Sequence, residues 1–573
     1  MDIRTFLQNN TVMLDGGMGS LLMARGLPAG ERGERWNLSH PEAVEAIHTA
    51  YYDAGSNIVL TNTFGANRLH FDDGELEEII PAAVMLARSA GAKSAGTQEK
   101  FVALDIGPLG QLLSPLGELD FEDAVKIFAQ QVRLGAKAGA DLIFIETMND
   151  LAETRAALLA AKENCRLPVF VSNSYAPHGR LLTGASPAAM VAMLESMGAD
   201  VIGLNCSQGP EELAPLAEEY LRLASVPVLF KPNAGAPMVK DGETVYPMTP
   251  ELFGEKTAEL VRRGVRCVGG CCGTTPEHIA ALSRAVAGLA PLPVEPKELS
   301  CVTSAADALY LGEETVYIGD RINPTGRADL HKGFLSGDLT PILAEAEKQQ
   351  DRGIHILDLN VTAKGVDQPA MMERAVRELQ ENLSLPLQID SVNTTAMERA
   401  LRRYQGKAII NSANGRPDSM RLTFPLAKKY GGMVACLTLD EMGLPEAPED
   451  KLRIAEKMLR TAESYGLGKK DLLFDPLVLS LKSTPGVAVS VLETVKELKK
   501  RGLLTMAAIS NISYGLPNRD VLESTFLALV LEAGVDVVMY NPAIRPYIDE
   551  RAKRALLGDE NDLEAFIAAA NTI

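Results

Sequence analysis

FEDAVKIFAQQVRLGAKAGADLIFI (121–145) carries one period of the pattern that decides the fold. Up to Ala140 its apolar side chains recur every three or four residues, as they do on a helix with one buried face. The stretch ends in small residues, where a helix turns back toward the next element. DLIFI (141–145) is then short, apolar and rich in isoleucine, and it reads as a fully buried strand.

The same period extends in both directions. VML (12–14), NIVL (57–60), FVAL (101–104), DLIFI (141–145), PVFV (168–171), VIGL (201–204), PVLF (227–230) and RCVGG (266–270) are strand candidates. Amphipathic stretches such as PEAVEAIHTAYYDAG lie between them. A second round follows with VYIG (316–319), IHILDL (354–359), PLQI (386–389), AII (408–410), MVACLTL (433–439), DLLF (471–474), LLTMAAI (503–509) and VDVVMY (535–540). Eight strand–helix units in roughly 250 residues suit a (β/α)8 barrel, whereas a doubly wound open sheet has about six strands. The fold expected is α/β, with two tandem TIM barrels: residues 1–290, a Pro/Ser/Ala-rich linker at 291–314, and residues 315–573. That agrees with a length of 573 residues, since single cores stop growing near about 250–300 residues.

A formal net charge of −19 argues against a nucleic-acid or anionic-membrane partner, both of which need a basic patch. The start, MDIRTFLQNN, lacks the features of a signal peptide, and no apolar run approaches the ~20 residues of a membrane span. Seven cysteines are too few and too uneven for a disulfide framework. A reducing cytoplasm is the expected compartment, and clustered cysteines there are ligands or nucleophiles.

Barrel active sites lie in the loops after the strands. In the first half Asp15, Asp105, Glu146 and the pair Asn205–Cys206 fall at strand ends, and GGCCG sets Cys271 and Cys272 after strand eight. Strands six and eight are separated by one strand, so Cys206 can meet Cys271 and Cys272. Three thiolates without a fourth protein ligand favour an open zinc site that activates a thiol substrate. Cys165, Cys267, Cys301 and Cys436 read as buried small hydrophobes.

DGGMG (15–19), NIVLTNTFG (57–65), LNCS (204–207) and GGCCGT (269–274) resemble the homocysteine S-methyltransferase family. The resemblance implies zinc on Cys206, Cys271 and Cys272, with homocysteine as the substrate. Gly16 and Gly17 of the DGGMG turn would leave backbone N–H groups free for a carboxylate, beside Asp15. Asp105 and Glu146 would then pair with the substrate ammonium, and Asn233 in FKPNAG is a further candidate contact.

In the second half the strand ends are rich in Asp and Asn: GDRINPTGR (319–327), DLN (358–360), IDS (389–391), NSANG (411–415), DP (475–476) and SNISYG (510–515). Carboxylates and amides suit a heterocycle with fused amide and amidine edges, although Asp and Asn also cap helices at such positions. These strings resemble the pterin-binding barrels of dihydropteroate synthases and methyltetrahydrofolate methyltransferases. By that resemblance Asp390, Asn411 and Asp475 hold the pterin, Asn511 lies near N5, and Asn323 and Arg519 contact the folate. The family often has Glu where this chain has Asp320. No lysine stands in SNISYGLPNRD where dihydropteroate synthases hold diphosphate, which favours the methyltransferase branch.

A homocysteine barrel followed by a methyltetrahydrofolate barrel resembles the front half of cobalamin-dependent methionine synthases. That resemblance implies a cobalamin carrier. The chain has no Asp-x-His-x-x-Gly segment to ligate a corrinoid, so the carrier is expected on a further domain or a separate protein. Three alternatives stand. The second barrel belongs to a methylenetetrahydrofolate-reductase type with a flavin, or the first takes its methyl group directly from betaine or S-methylmethionine, or the chain is a non-enzymatic zinc- and folate-binding module.

Overall fold

The computed structural model describes residues 2–240 and 243–570. They form two compact units, Met1–Lys297 and Glu298–Ile573.

The first unit contains β1 (Val12–Met13), β2 (Ile58–Leu60), β3 (Phe101–Ile106), β4 (Leu142–Met148), β5 (Val169–Asn173), β6 (Val201–Asn205) and β7 (Val228–Lys231). A small antiparallel hairpin follows, β8 (Met238–Lys240) and β9 (Glu243–Val245), and then β10 (Cys267–Val268). Excluding the hairpin, eight parallel strands pair in the order β1-β10-β7-β6-β5-β4-β3-β2. A parallel bridge between Leu14 and Ile58 brings the two ends of that order together. Every apolar run of the first half thus lies on a barrel strand.

The opening stretch shows why. Asp120 caps the helix Phe121–Ala138 by accepting from the Glu122 N–H, and Gly139 ends it at φ 95°, a backbone conformation that favours glycine. The chain then enters β4, whose Leu142 and Phe144 join the barrel core with Phe101, Ala103, Phe170, Val201 and Leu229. Burying each large side chain contributes about 1.5–3 kcal/mol.

The second unit begins with a hairpin, β11 (Cys301–Thr303) and β12 (Ala308–Tyr310). A closed barrel follows: β13 (Val316–Ile322), β14 (Ile356–Asn360), β15 (Leu387–Asp390), β16 (Ile409–Asn414), β17 (Met433–Leu437), β18 (Leu472–Asp475), β19 (Leu504–Ala508) and β20 (Val537–Tyr540). The segment 291–314, read from sequence as a linker, is divided between the units. Lys297 N–H donates to Ser225 Oγ (2.8 Å) in the first unit. Val302 and Leu311 belong to the second unit's core, alongside Ile318, Ile356 and Ile409. Apolar side chains on this short hairpin are what fasten it to the second barrel. Cys267, Cys301 and Cys436 are buried as expected, whereas Cys165 is only half-buried. It follows the end of the helix Leu151–Asn164, where the chain emerges toward the surface.

Candidate functional site

Side chains alternate along a strand. The parity that puts Phe101 and Ala103, Leu142 and Phe144, Val201, and Leu229 in the first core also directs Asp105, Glu146, Asn205 and Lys231 to the inner face, nearer the strand C-termini. A polar layer therefore rests on the apolar one.

Beside that layer Cys206, Cys271 and Cys272 bring their sulfur atoms within 4.8 Å of one another, the only such cluster of potential metal ligands among the described residues. Cys206 and Cys272 are 3.9 Å apart. Two sulfurs on a tetrahedral zinc shell of ~2.3 Å radius stand ~3.8 Å apart, so the donor set and its spacing fit zinc. The surrounding turns interlock. Cys206 N–H donates to the Lys231 carbonyl (3.1 Å), Cys271 N–H to the Pro232 carbonyl (2.8 Å), and Ala234 N–H to the Cys272 carbonyl (3.0 Å). Cys206 and Ser207 both adopt positive φ, 62° and 57°, a conformation costing non-glycine residues roughly 1–2 kcal/mol each. The turn that presents the sulfur is held against that cost by its neighbours.

Asn205 orients Cys271. Its amide donates to Thr147 Oγ1 (2.7 Å) and reaches Cys271 Sγ (3.7 Å), while its oxygen accepts from Thr147 N–H and Ser172 Oγ. Without a cation three thiolates cannot crowd together. Hydrogen bonds from Cys206 and Cys271 hold the Cys272 thiol far below its ordinary value, and Tyr246 adds another. Cys271 is correspondingly pushed up, first by its hydrogen bond with Cys206. A metal would draw the remaining protons from the three sulfurs.

The DGGMG amides are not all free: Gly17 N–H donates to Thr274 Oγ1 (3.1 Å). Its glycine is needed for close packing, because a Cβ there would stand 3.0 Å from the Cys271 carbonyl oxygen. Asn233 likewise serves the cysteine turn, its Oδ1 accepting from Cys272 N–H (3.1 Å).

Asp15, Asp105 and Glu146 are all buried. Asp15 accepts from Leu60 N–H (2.8 Å), and burial pushes its pKa up to about 6. Asp105 is pushed well above the carboxylate range, by burial and then by the charge of Glu146. Lys231 went unnoticed in the sequence. Its ammonium lies 3.1 Å from Glu146 Oε2 and 3.6 Å from Asp15 Oδ1. Burial opposes its charge, but Glu146 and Asp15 override that and keep it protonated.

In the second barrel the inward parity of Val316 and Ile318, Ile356, Ile409 and Leu473 continues to Asp320, to Asp358 and Asn360, to Asn411, and to Asp475. Asp390 accepts from Asn360 Nδ2 (2.8 Å) and is paired in register with Asn411. Burial raises the pKa of Asp390 and pushes that of Asp475 up to about 6. Asp475 also accepts from Leu477 N–H (2.7 Å).

The remaining candidates lie in the surrounding loops. Asn323 closes a turn on Thr325 N–H (3.0 Å), and Asn511 is exposed at the end of the turn Ile509–Asn511. Arg519 donates within its own loop, to Ser513 Oγ (2.9 Å), the Ser510 carbonyl (3.1 Å) and Glu523 (3.1 Å). Asp320 accepts from Ser510 Oγ (2.6 Å), which anchors that loop from the opposite side. Two inward residues were not singled out from sequence as ligands. Asp358 is fully buried and accepts from Gln388 Nε2 (2.7 Å), and one oxygen of each side chain lacks a hydrogen-bond partner.

Residues 12–286 match the homocysteine S-methyltransferase family, and residues 319–541 match the pterin binding enzyme family. The chain joins a homocysteine-methyltransferase-like domain to a pterin-binding domain, and it is an enzyme of the methyltransferase class. It is similar to the methionine synthase of Mycobacterium tuberculosis, with 30% identity over 568 residues covering 93% of this chain and 48% of that protein. The methionine synthase of Mycobacterium leprae is 30% identical over 599 residues, covering 97% and 49%. The chain thus spans about half the length of the curated relatives it matches. Among solved structures, the metallated homocysteine methyltransferase MmuM of Escherichia coli is 24% identical with a TM-score of 0.43, covering 49% of this chain and 99% of that one. A dihydropteroate synthase of Xanthomonas albilineans in complex with 7,8-dihydropteroate is 17% identical with a TM-score of 0.34, covering 47% and 98%. Among the described residues no helix is long and apolar enough to cross a membrane.

Proposed function

We propose that the first barrel binds homocysteine on a zinc ion held by Cys206, Cys271 and Cys272, and that the second binds 5-methyltetrahydrofolate as the source of the methyl group. The observation that carries this is the meeting of the three sulfurs within 4.8 Å in a chain whose other half matches a pterin-binding family. Zinc would supply the Lewis acidity that keeps a substrate thiol deprotonated below its free pKa of about 8.5. Asn205 and Asn233 would fix Cys271 and Cys272 for that ion. Asp15, Asp105 and Glu146 would face the substrate ammonium, with Gly16 at the turn beside them.

In the second barrel Asp390 and Asp475 would accept hydrogen bonds from the guanidine-like edge of the pterin, and Asn411 would both donate and accept. Asn323 would meet the rest of the folate. Asn511 would hold a hydrogen bond at N5, where a poor amine leaving group needs support. A reduced cobalamin on another domain or protein would supply the nucleophile that takes the methyl group from folate and passes it to sulfur. A reducing cytoplasm suits the free thiolates.

Metal analysis combined with homocysteine titration tests the first half of this reading. Cys206→Ser is expected to lose one zinc per chain together with homocysteine binding, and retention of both in the variant overturns the assignment. A second reading draws on the family match of the first barrel taken alone: a homocysteine methyltransferase that uses a methyl donor directly. Methionine formed from S-methylmethionine or betaine without a corrinoid would favour it. Formation only with methyltetrahydrofolate and added cobalamin would favour the first.

A further inference from the structure

Lys231 ends β7 and is 2% exposed. The methyl-transfer reading gives it no task, yet it is the ammonium that the first barrel places inside its own carboxylate cluster. Nζ lies 3.1 Å from Glu146 and 3.6 Å from Asp15, and 5.6 Å from the centroid of the Phe144 ring. Asp105 keeps one buried oxygen, Oδ1, without a hydrogen-bond partner, and the Asp15 oxygen that lacks one is the Oδ1 that faces Lys231. One cation therefore stands among three carboxylates, with acceptor capacity to spare.

Lys231 bridges two carboxylates from different strands, β4 and the turn after β1, across the barrel mouth. Removing it would leave Asp15 and Glu146 facing each other in a water-poor space, where like charges cannot both persist. An incoming ammonium would then find one charged carboxylate in place of two.

We propose that Lys231 is a positioning residue: it holds Asp15 and Glu146 as a carboxylate pair, so that the α-ammonium of the substrate completes an alternating set of charges. It thereby makes the zinc site select α-amino thiols over simple thiols. This rests on the reading of the first barrel as a homocysteine site.

The zinc-loaded chain would be titrated with homocysteine and with 4-mercaptobutanoate, which keeps the thiol and the carboxylate but lacks the ammonium. Lys231→Met is expected to retain zinc and to weaken homocysteine about 30-fold or more, in the range for breaking a buried charge pair, while 4-mercaptobutanoate changes little. In turnover the KM for homocysteine should rise with kcat nearly unchanged. An equal loss for both thiols, or no loss for homocysteine, overturns the proposal. If Lys231→Met does not fold, Lys231→Gln keeps a hydrogen-bond donor to Glu146 without the charge and is read in the same way. Loss of zinc in both variants also overturns it. A wild-type chain that binds zinc but not homocysteine would overturn the underlying reading instead, before any variant is compared.

Discussion

Asp475, proposed above to hold the pterin, should weaken the barrel that carries it. Its carboxyl is buried at the end of β18, and burial, opposed by the Leu477 N–H and Lys451, pushes its pKa up to about 6. The folded state therefore holds a proton that the unfolded chain releases near pH 4. Stability falls as pH rises through the window from about 4 to 6 and stays lower above it. Asp475→Asn keeps an oxygen for the Leu477 N–H and removes the charge, so it should stabilise the second barrel at pH 7 by up to about 3 kcal/mol. The same change removes an acceptor for the pterin, and methyltetrahydrofolate affinity should drop by roughly tenfold or more. In the wild type that affinity should also decline below about pH 6, as the carboxyl takes its proton. Thermal melts and folate titrations between pH 5 and 8 would check all three, and a variant both less stable and unaltered in folate binding would contradict the assignment.

At the scale of elements, β6 must approach β7 closely for the cysteine turns to interlock, and Gly203 allows it. A Cβ on Gly203 would press on the Leu229 carbonyl, well inside contact distance. Since the obstacle is backbone, Gly203→Ala should cost about 3 kcal/mol or more and lower the zinc content by moving Cys206 from Cys271 and Cys272. Melting temperature and metal analysis on one preparation would show whether the two losses travel together. The strands themselves were legible, because buried parallel strands are continuous apolar runs and each run here ends near a polar residue. The cysteine cage was legible once the count of eight made strands six and eight near neighbours. Lys231 was not, because FKPNAG reads as a polar turn unless the parity of Leu229 is carried two residues further. Asp358 stood in the strand-end string DLN, but only its parity with Ile356 turns it inward. For Arg519 and Asn233, sequence places a polar side chain near a site, and packing adds the partners each already has there, Ser513 and Glu523 for one and the Cys272 N–H for the other.

At the scale of the whole molecule, each unit has its own core, and each candidate site draws its residues from one unit alone. Ligand binding should therefore stabilise one unit at a time. A ligand at ~100 times its Kd adds about 2.7 kcal/mol to the state that binds it, and for a unit of this size that raises Tm by about 5 °C or more. Calorimetry of the intact chain should resolve two transitions. Methyltetrahydrofolate should raise one of them and leave the other in place. A zinc chelator should lower the second, and homocysteine should raise it only while zinc is present. Asp390→Asn should abolish the folate shift and spare the zinc-dependent one, and Cys206→Ser should do the reverse. A single transition that moves with either ligand would mean that the two cores melt as one, and the sites would then have to be treated as energetically linked.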